Sequence, residues 1–350
     1  MQLTLFIPEL IWPEPNDQLT LGKLALPGFE WLNARCEQQN TPRQACEAAL
    51  AACFGLPDAA YAPLRLLGEH PPQCDGSQAK TGDWLCADPV HLRFHHERIV
   101  LADAGAFEVS EDEAQTLIAA LNQTFADIGQ FIMATPRRWY LRLAQATTHR
   151  AEPLTAIAGR RLAGDPLGAK SPLAGVINEI QMFLHTHPVN QQREASGQPS
   201  INSLWLWGAG SLPTLEAPGF DAVWSRDPLA QGLARAASLR PRPSPPSLAA
   251  LLDNADPAQR QLVVLEELLG PVLYEAPDDW KRAIQRLDAD WFQPLSKAVG
   301  SQIKQLQLIA PTIYGVLRWQ YQGGRWQFWK KGRTLAEIAQ ALASQPQASA

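Results

Sequence analysis

The chain has 350 residues, 46% apolar and 19% charged, enough apolar material for a large buried core and too apolar for a disordered chain. Thirty Lys and Arg against 35 Asp and Glu leave a formal charge of −5, so the chain as a whole has no electrostatic reason to hold a polyanion such as nucleic acid. No stretch reaches the ~18 apolar residues of a membrane span, the five Cys fit neither a CxxC pair nor a zinc ribbon, and the first twelve residues lack the basic flank of a secretory signal. A reduced, cytoplasmic protein of roughly two domains is expected, with no membrane partner.

Residues 3–7 (LTLFI) form an apolar run closed by Pro8, as a buried strand feeding a loop would. Phe29, Leu32 and Cys36 share a helical face, and Thr41 reads as an N-cap with Pro42 at the first position of a helix over 45–54. Residues 57–83 are rich in Pro and Gly and read as loop. Residues 90–94 and 98–102 flank His95-His96-Glu97 as a β-hairpin. Ser110 with Glu113 is a capping box, and Ala114, Leu117, Ile118, Leu121 and Phe125 continue it as an amphipathic helix. Residues 138–143 (RWYLRL) alternate as a strand with Arg138, Tyr140 and Arg142 on one face. A helix over 172–185 stops before Pro188.

Residues 203–207 (SLWLW), running into Gly208-Ala209-Gly210, read as a central parallel strand followed by a tight turn. A strand over 222–224, a helix over 228–237, a Pro-rich connector at 239–247, a strand over 261–265, a helix over 280–299 and a strand over 304–309 follow. A short helix over 334–343 comes last. Alternation of strand and helix across 203–309 predicts an open α/β sheet.

The densest polar cluster runs from residue 178 to 193. Asn178, Gln181 and His185 recur at helical spacing on one face, and His187, Asn190 and Arg193 follow in the turn, where Arg193 offers a planar fork for a carboxylate or phosphate. These residues either face a ligand or cap the helix and tie down its Pro-containing loop. Arg138 and Arg142 are a second anion site, or belong to a solvated edge strand. Asp88, His91, His95 and His96 have the residue types of a metal site, but His95 and His96 fall at the expected hairpin tip; no metal site is assigned. No GxSxG elbow, GxGxxG or P-loop occurs, so no catalytic residue and no cofactor are expected. Residues 318–333 (RWQYQGGRWQFWKKGR) interleave basic and aromatic side chains. They suit either single-stranded nucleic acid or a hairpin turning at Gly323-Gly324.

Five segments together resemble the RpfE-type proteins of proteobacteria, described as regulatory or phosphoglycerate mutase-like. They are ADPVHLR at 87–93, RWYL at 138–141, NEIQM at 178–182, HPVN at 187–190 and INSLWLWGAG at 201–210, and the resemblance spans roughly residues 84–300. More distantly, the order of elements is similar to archaeal-type cofactor-independent phosphoglycerate mutases. That resemblance implies an alkaline-phosphatase-like α/β fold: an open sheet flanked by helices, with a smaller inserted α+β cap. The core would be residues 1–103 and 199–350, and the cap 104–198. It also implies two divalent metals held by Asp and His at strand ends, with a Ser or Thr nucleophile.

At the corresponding strand ends this chain reads Pro8-Glu9-Leu10, Glu266-Glu267-Leu268 and Ala310-Pro311-Thr312, and no His follows His187. The expectation is therefore a non-catalytic, regulatory, pseudoenzyme-like protein. Asn178, Gln181, His185, His187, Asn190, Arg193, Arg138, Arg142 and Trp207 would bind an anionic small molecule, and a protein partner is the other expected contact. The alternatives are an active metal-dependent mutase or phosphatase using Glu9, Asp83, Asp88, His91 or Glu266 as ligands, and an interaction module built on the basic aromatic C-terminus.

Overall fold

A computed structural model of the chain describes all residues except 23, 70–77, 96–97, 160, 163–170, 216–218, 322–331 and 345–350. The described strands, in chain order, are β1 (Gln2–Phe6), β2 (Glu37–Thr41), β3 (Trp84–His95), β4 (Arg98–Asp103), β5 (Gly129–Thr135), β6 (Arg138–Leu143), β7 (Arg161–Leu162), β8 (Ser203–Gly210), β9 (Ala222–Trp224), β10 (Arg260–Val264), β11 (Gln305–Thr312) and β12 (Gly315–Tyr321). They build two compact units. The first comprises Met1–Gly55, Glu216–Ala230 and Ala237–Ala350; the second comprises Leu56–Leu215 with Gln231–Ala236.

The first unit is an open sheet in the order β2-β12-β11-β1-β10-β9, in which β9, β10, β1 and β11 run parallel and β12 pairs antiparallel with both β11 and β2. On one face Leu3, Leu5, Val263, Leu306, Leu308 and Trp319 enter a core closed by the helices Pro27–Arg35, Leu248–Asn254, Pro277–Leu287 and Leu335–Ala343. Burial of that face drives assembly at roughly 25 cal/mol per Å² of apolar surface. The long helix expected over 280–299 is continuous but contains a π-turn at Asp288–Phe292, just ahead of Pro294, which has no N–H for the helical ladder. The buried Asp288 carboxylate accepts from Gly28 N at 3.3 Å and Phe29 N at 2.8 Å, capping a helix whose own N-cap, Leu26, has no side-chain acceptor.

The second unit carries a sheet in the order β5-β6-β3-β4-β7, with β8 pairing β3. Its capped helix, Glu111–Thr124, makes both bonds of the Ser110/Glu113 box, with Leu117 and Leu121 turned into the core.

The expected α/β class, an open sheet flanked by helices with an inserted α+β unit, is the fold found, but several elements differ. The units divide at 55/56 and 215/216 rather than at 103/104 and 198/199, because β3 pairs with β6 and β8 and so draws 84–95 and 203–210 into the inserted unit. β8 is consequently antiparallel and no part of the parallel sheet. Gly208 and Gly210 lie within it at φ +69° and +139°, where a Cβ would stand 3.0 Å from Tyr61 Cβ and 2.8 Å from Ala60 Cβ. They allow close approach of the 60–61 backbone and do not form a turn. Thr41 ends β2 and caps no helix; the following helix is Cys46–Ala52. Part of the expected loop at 57–83 is a helix, Tyr61–Glu69, with Pro63 tolerated in its first turn. β6 lies between β5 and β3, so it is not an edge strand. Among the described residues no helix is long and apolar enough to cross a membrane.

Candidate functional site

In open α/β sheets the crevice beyond the carboxyl ends of the parallel strands is the usual place for chemistry. In the first unit the chain leaves β1 through Glu9, at φ +55° and 7% exposed, held by Glu9 N donating to Pro311 O and by Trp280 Nε1 donating to Glu9 O. It leaves β9 through Ser225 and Asp227, β10 through Glu266, and β11 through Thr312. The helix Cys46–Ala52 brings Cys46 and the buried Glu47 to the same end. Burial first, and then the charges of Glu47, Asp227, Glu9 and Glu266, hold the Cys46 thiol well above its ordinary range. The negative charges of four carboxyl groups at this end of the sheet thus add to burial in keeping the thiol protonated.

The described thiol and hydroxyl groups of this crevice are neutral or engaged. Cys46 is kept neutral, the Ser225 hydroxyl accepts from Asp227 N at 3.0 Å, and Thr312 donates to Gly315 O at 3.0 Å while accepting from Tyr314 N. Activation would need an adjacent base or a metal. All seven histidines fall between His70 and His187, inside the second unit, so the parallel sheet has no imidazole to offer. Among the described residues no three His, Cys, Asp or Glu side chains converge as metal ligands. The donor set does not fit the Asp/His pair of metals that the resemblance implies.

The nine residues expected to bind an anion all lie in the second unit, and most are already bonded. Gln181 Nε2 donates to Ser203 Oγ at 3.1 Å, and the His187 ring accepts from Val189 N at 3.2 Å as the N-cap of the helix Pro188–Ala195. Asn190, fully buried, donates to Leu184 O and Ile201 O and accepts from Ile201 N. Arg193 donates to Pro199 O, Glu113 Oε1 and Glu108 O at 2.7–2.9 Å. Of the two readings open for this cluster, capping and loop tying is what His187, Asn190 and Arg193 do. Asn178 and His185 are exposed on the helix Ala174–Thr186.

Arg138 is matched to Glu69, and Arg142 is half-buried with a 3.4 Å contact to Thr81 Oγ1. Trp207 Nε1 donates to Asp88 Oδ2 at 2.8 Å. Asp88 also takes both terminal nitrogens of Arg65, at 2.6 and 2.8 Å, while Arg65 Nε donates to Tyr140 OH and Tyr140 donates to Glu69. Burial alone would lower the Arg65 pKa, but Asp88 holds it above its ordinary value, and burial keeps Tyr140 protonated. This buried network escaped the sequence reading, which took its helix for a loop. Asp88, taken by Arg65 and Trp207, is not spare for a metal, while His91 donates through Nδ1 to Ser200 O at 2.7 Å and keeps its Nε2 lone pair. The basic aromatic stretch and its turn at Gly323-Gly324 lie outside the described residues at 322–331; within the described part, Trp319 is buried in the core of the first unit.

The chain resembles known proteins in part of its sequence and in its fold. It is 32% identical over 163 residues to 2,3-bisphosphoglycerate-independent phosphoglycerate mutase 2 of Methanothermobacter thermautotrophicus, covering 45% of this chain and 40% of that protein. The likeness is to phosphoglycerate mutases. The Methanosarcina mazei 2,3-bisphosphoglycerate-independent phosphoglycerate mutase is 27% identical over 149 residues, 40% of this chain and 37% of that protein. The matched part thus spans well under half the length of these relatives. The solved structure of the PH0037 protein from Pyrococcus horikoshii superposes with a TM-score of 0.57 at 16% identity, over 96% of this chain and 92% of that one, which establishes the shared fold. No family model matches the chain.

Proposed function

We propose that this phosphoglycerate mutase-like chain transfers no phosphoryl group and acts, as an RpfE-type regulatory protein of the cytoplasm, by binding an anionic small molecule or a protein partner. The observation that carries the reading is the make-up of the strand ends of the first unit: four carboxyl groups acting on a neutral thiol, in a unit whose sequence contains no histidine. Phosphoryl transfer needs developing negative charge neutralised at the reacting centre. Clustered carboxylates with no converging metal-ligand set work against that charge.

The test is conversion of 3-phosphoglycerate to 2-phosphoglycerate by the full chain with Mn²⁺, Mg²⁺ or Zn²⁺ added, alongside metal analysis of the purified protein. No turnover above the protein-free blank is expected. Metal-dependent turnover, with stoichiometric metal, would overturn the reading. A second reading, an active metal-dependent mutase or phosphatase, is favoured by the 32% identity to a curated mutase and gives the opposite result in the same assay. The binding role is read by a thermal-shift screen of phosphorylated and carboxylated metabolites, since a ligand specific for the native state raises its apparent stability.

A further inference from the structure

The sheet of the first unit has an unexpected second face. Strands flanked by helices on both sides are nearly continuous runs of apolar residues. Here the amino halves of β1, β10 and β11 alternate. In register, Gln2 stands opposite both Arg260 and Gln305, Thr4 opposite Gln307, and Gln307 opposite Gln320. These six side chains share the face turned away from Leu3, Leu5, Leu306 and Leu308. The helix Cys46–Ala52 lies against β11 and ends at Cys53, on the rim of an open cavity of about 510 Å³ that this polar half-face floors. The volume falls within the usual span of small-molecule sites.

The chemistry of the floor is specific. The side chains of Gln2, Thr4, Gln305, Gln307 and Gln320 make no hydrogen bond within the described residues. By contrast, Gln261 on the wall accepts from Trp224 Nε1 and donates to Asp256 O. Each unengaged amide offers two donors and an acceptor from one rigid plane, and Thr4 adds a hydroxyl. Phe220 supplies aromatic surface. The charge is balanced: Arg260 grips Asp221 through Nε at 3.1 Å and Nη2 at 2.8 Å, and the Arg260 hydrogen bonds pull the Asp221 carboxyl down to about 2. Arg318, two residues along β12 from Gln320 and on the same face, lies outside the lining, though its charge reaches Cys53 on the rim.

We propose that this cavity is a binding site for a neutral, polyhydroxylated small molecule of the saccharide or polyol class. Alternating donors and acceptors, with the one charged lining residue, Arg260, paired to Asp221, match hydroxyl groups, and the Phe220 ring matches the apolar C–H face of a sugar ring. The site lies at the amino ends of the strands, away from the crevice discussed above, and stands whether or not the chain turns over phosphoglycerate.

The test is calorimetric titration of the full chain with D-glucose, maltose and myo-inositol, with D-glucuronate and adenosine as comparators. Saturable binding of at least one neutral probe is expected, with Kd on the order of 1 mM for a ligand of hexose size. Gln307→Leu with Gln320→Leu should weaken it by about tenfold or more, and Gln115→Ala, on an exposed helix face of the second unit, should leave it unchanged. If the double variant fails to fold, the exposed Gln305→Ala serves, with about threefold weakening. Alkylation of Cys53, whose thiol burial pushes up to about 11, should slow under saturating probe, while Cys36 reacts as before. Absence of saturable binding by all three neutral probes would overturn the proposal. So would glucuronate or adenosine binding tenfold tighter than the best of them, or full affinity in the substituted chain.

Discussion

Replacing Asp88 by Asn should be among the most damaging single changes in the inserted unit. Asp88 is 1% exposed, accepts both terminal nitrogens of Arg65 and the indole N–H of Trp207, and has no water to fall back on. The asparagine keeps one acceptor oxygen but turns an NH₂ toward the guanidinium, leaving a buried cation without its counter-charge. Breaking a buried pair in this way costs about 3–5 kcal/mol, against a total stability of roughly 5–15 kcal/mol. A chain of two units need not unfold in one step, so the readout is native-state hydrogen exchange of peptides covering β3, β6 and β8. At about 1.4 kcal/mol per decade, their protection should fall by roughly 10² to 10⁴. The control is Asp279→Asn, which breaks an ion pair with Arg282 whose side chains are 58% and 66% exposed and should cost about 0.5 kcal/mol or less. Replacing both partners, as Arg65→Met with Asp88→Leu, should recover most of the loss, because it removes the unpaired charge along with the pair. If Asp88→Asn changed exchange no more than Asp279→Asn, the network would not be what holds the three strands together.

Three further outcomes follow from particular contacts. Gly232→Ala should destabilise by about 2–3 kcal/mol, because the new Cβ would stand 1.7 Å from Leu64 O and a main-chain atom cannot swing aside; urea denaturation measures it. Asp288→Ala should cost about 1–2 kcal/mol and raise exchange at Phe29 N in particular, since that N–H loses its 2.8 Å acceptor. His187 accepts from Val189 N only while Nδ1 is unprotonated, and burial lowers its pKa in the folded chain below the ordinary value of about 6.5. Its contribution is therefore complete above that ordinary value and is lost as pH falls through the lower folded one. His187→Asn, which keeps a capping acceptor, should flatten this acid-side slope in a denaturation series across pH.

The elements read correctly are those whose signal is local. The Ser110/Glu113 box, the alternation of 138–143 and the apolar runs of β1 and β10 each carry their cause within a few residues. The failures are non-local. SLWLW looked like a parallel core strand because its apolar run is continuous. That continuity comes from burial in the antiparallel sheet of the inserted unit, where Leu204 and Leu206 enter one core cluster and Trp205 and Trp207 another. The glycines after it looked like turn glycines, yet what they accommodate is Tyr61 and Ala60, about 150 residues earlier in the chain. Pro63 and the glycines on either side hid a helix whose buried Arg65 finds its acceptors at residues 88 and 140.

The role of the polar cluster at 178–193 was illegible for a related reason. Asn190 and Arg193 have the chemistry of ligand-binding residues because tying down a loop demands the same donors and acceptors, and sequence spacing cannot say whether the groups they meet belong to a guest or to the chain. The distribution of histidine has the opposite character. All seven lie between residues 70 and 187, a fact visible in the sequence but chemically mute until the division into units puts every one of them outside the parallel sheet. With that division, the same seven residues become the reason why the strand ends of the first unit can present only oxygen and sulfur, and why an Asp/His metal centre cannot be assembled there from the unit's own side chains.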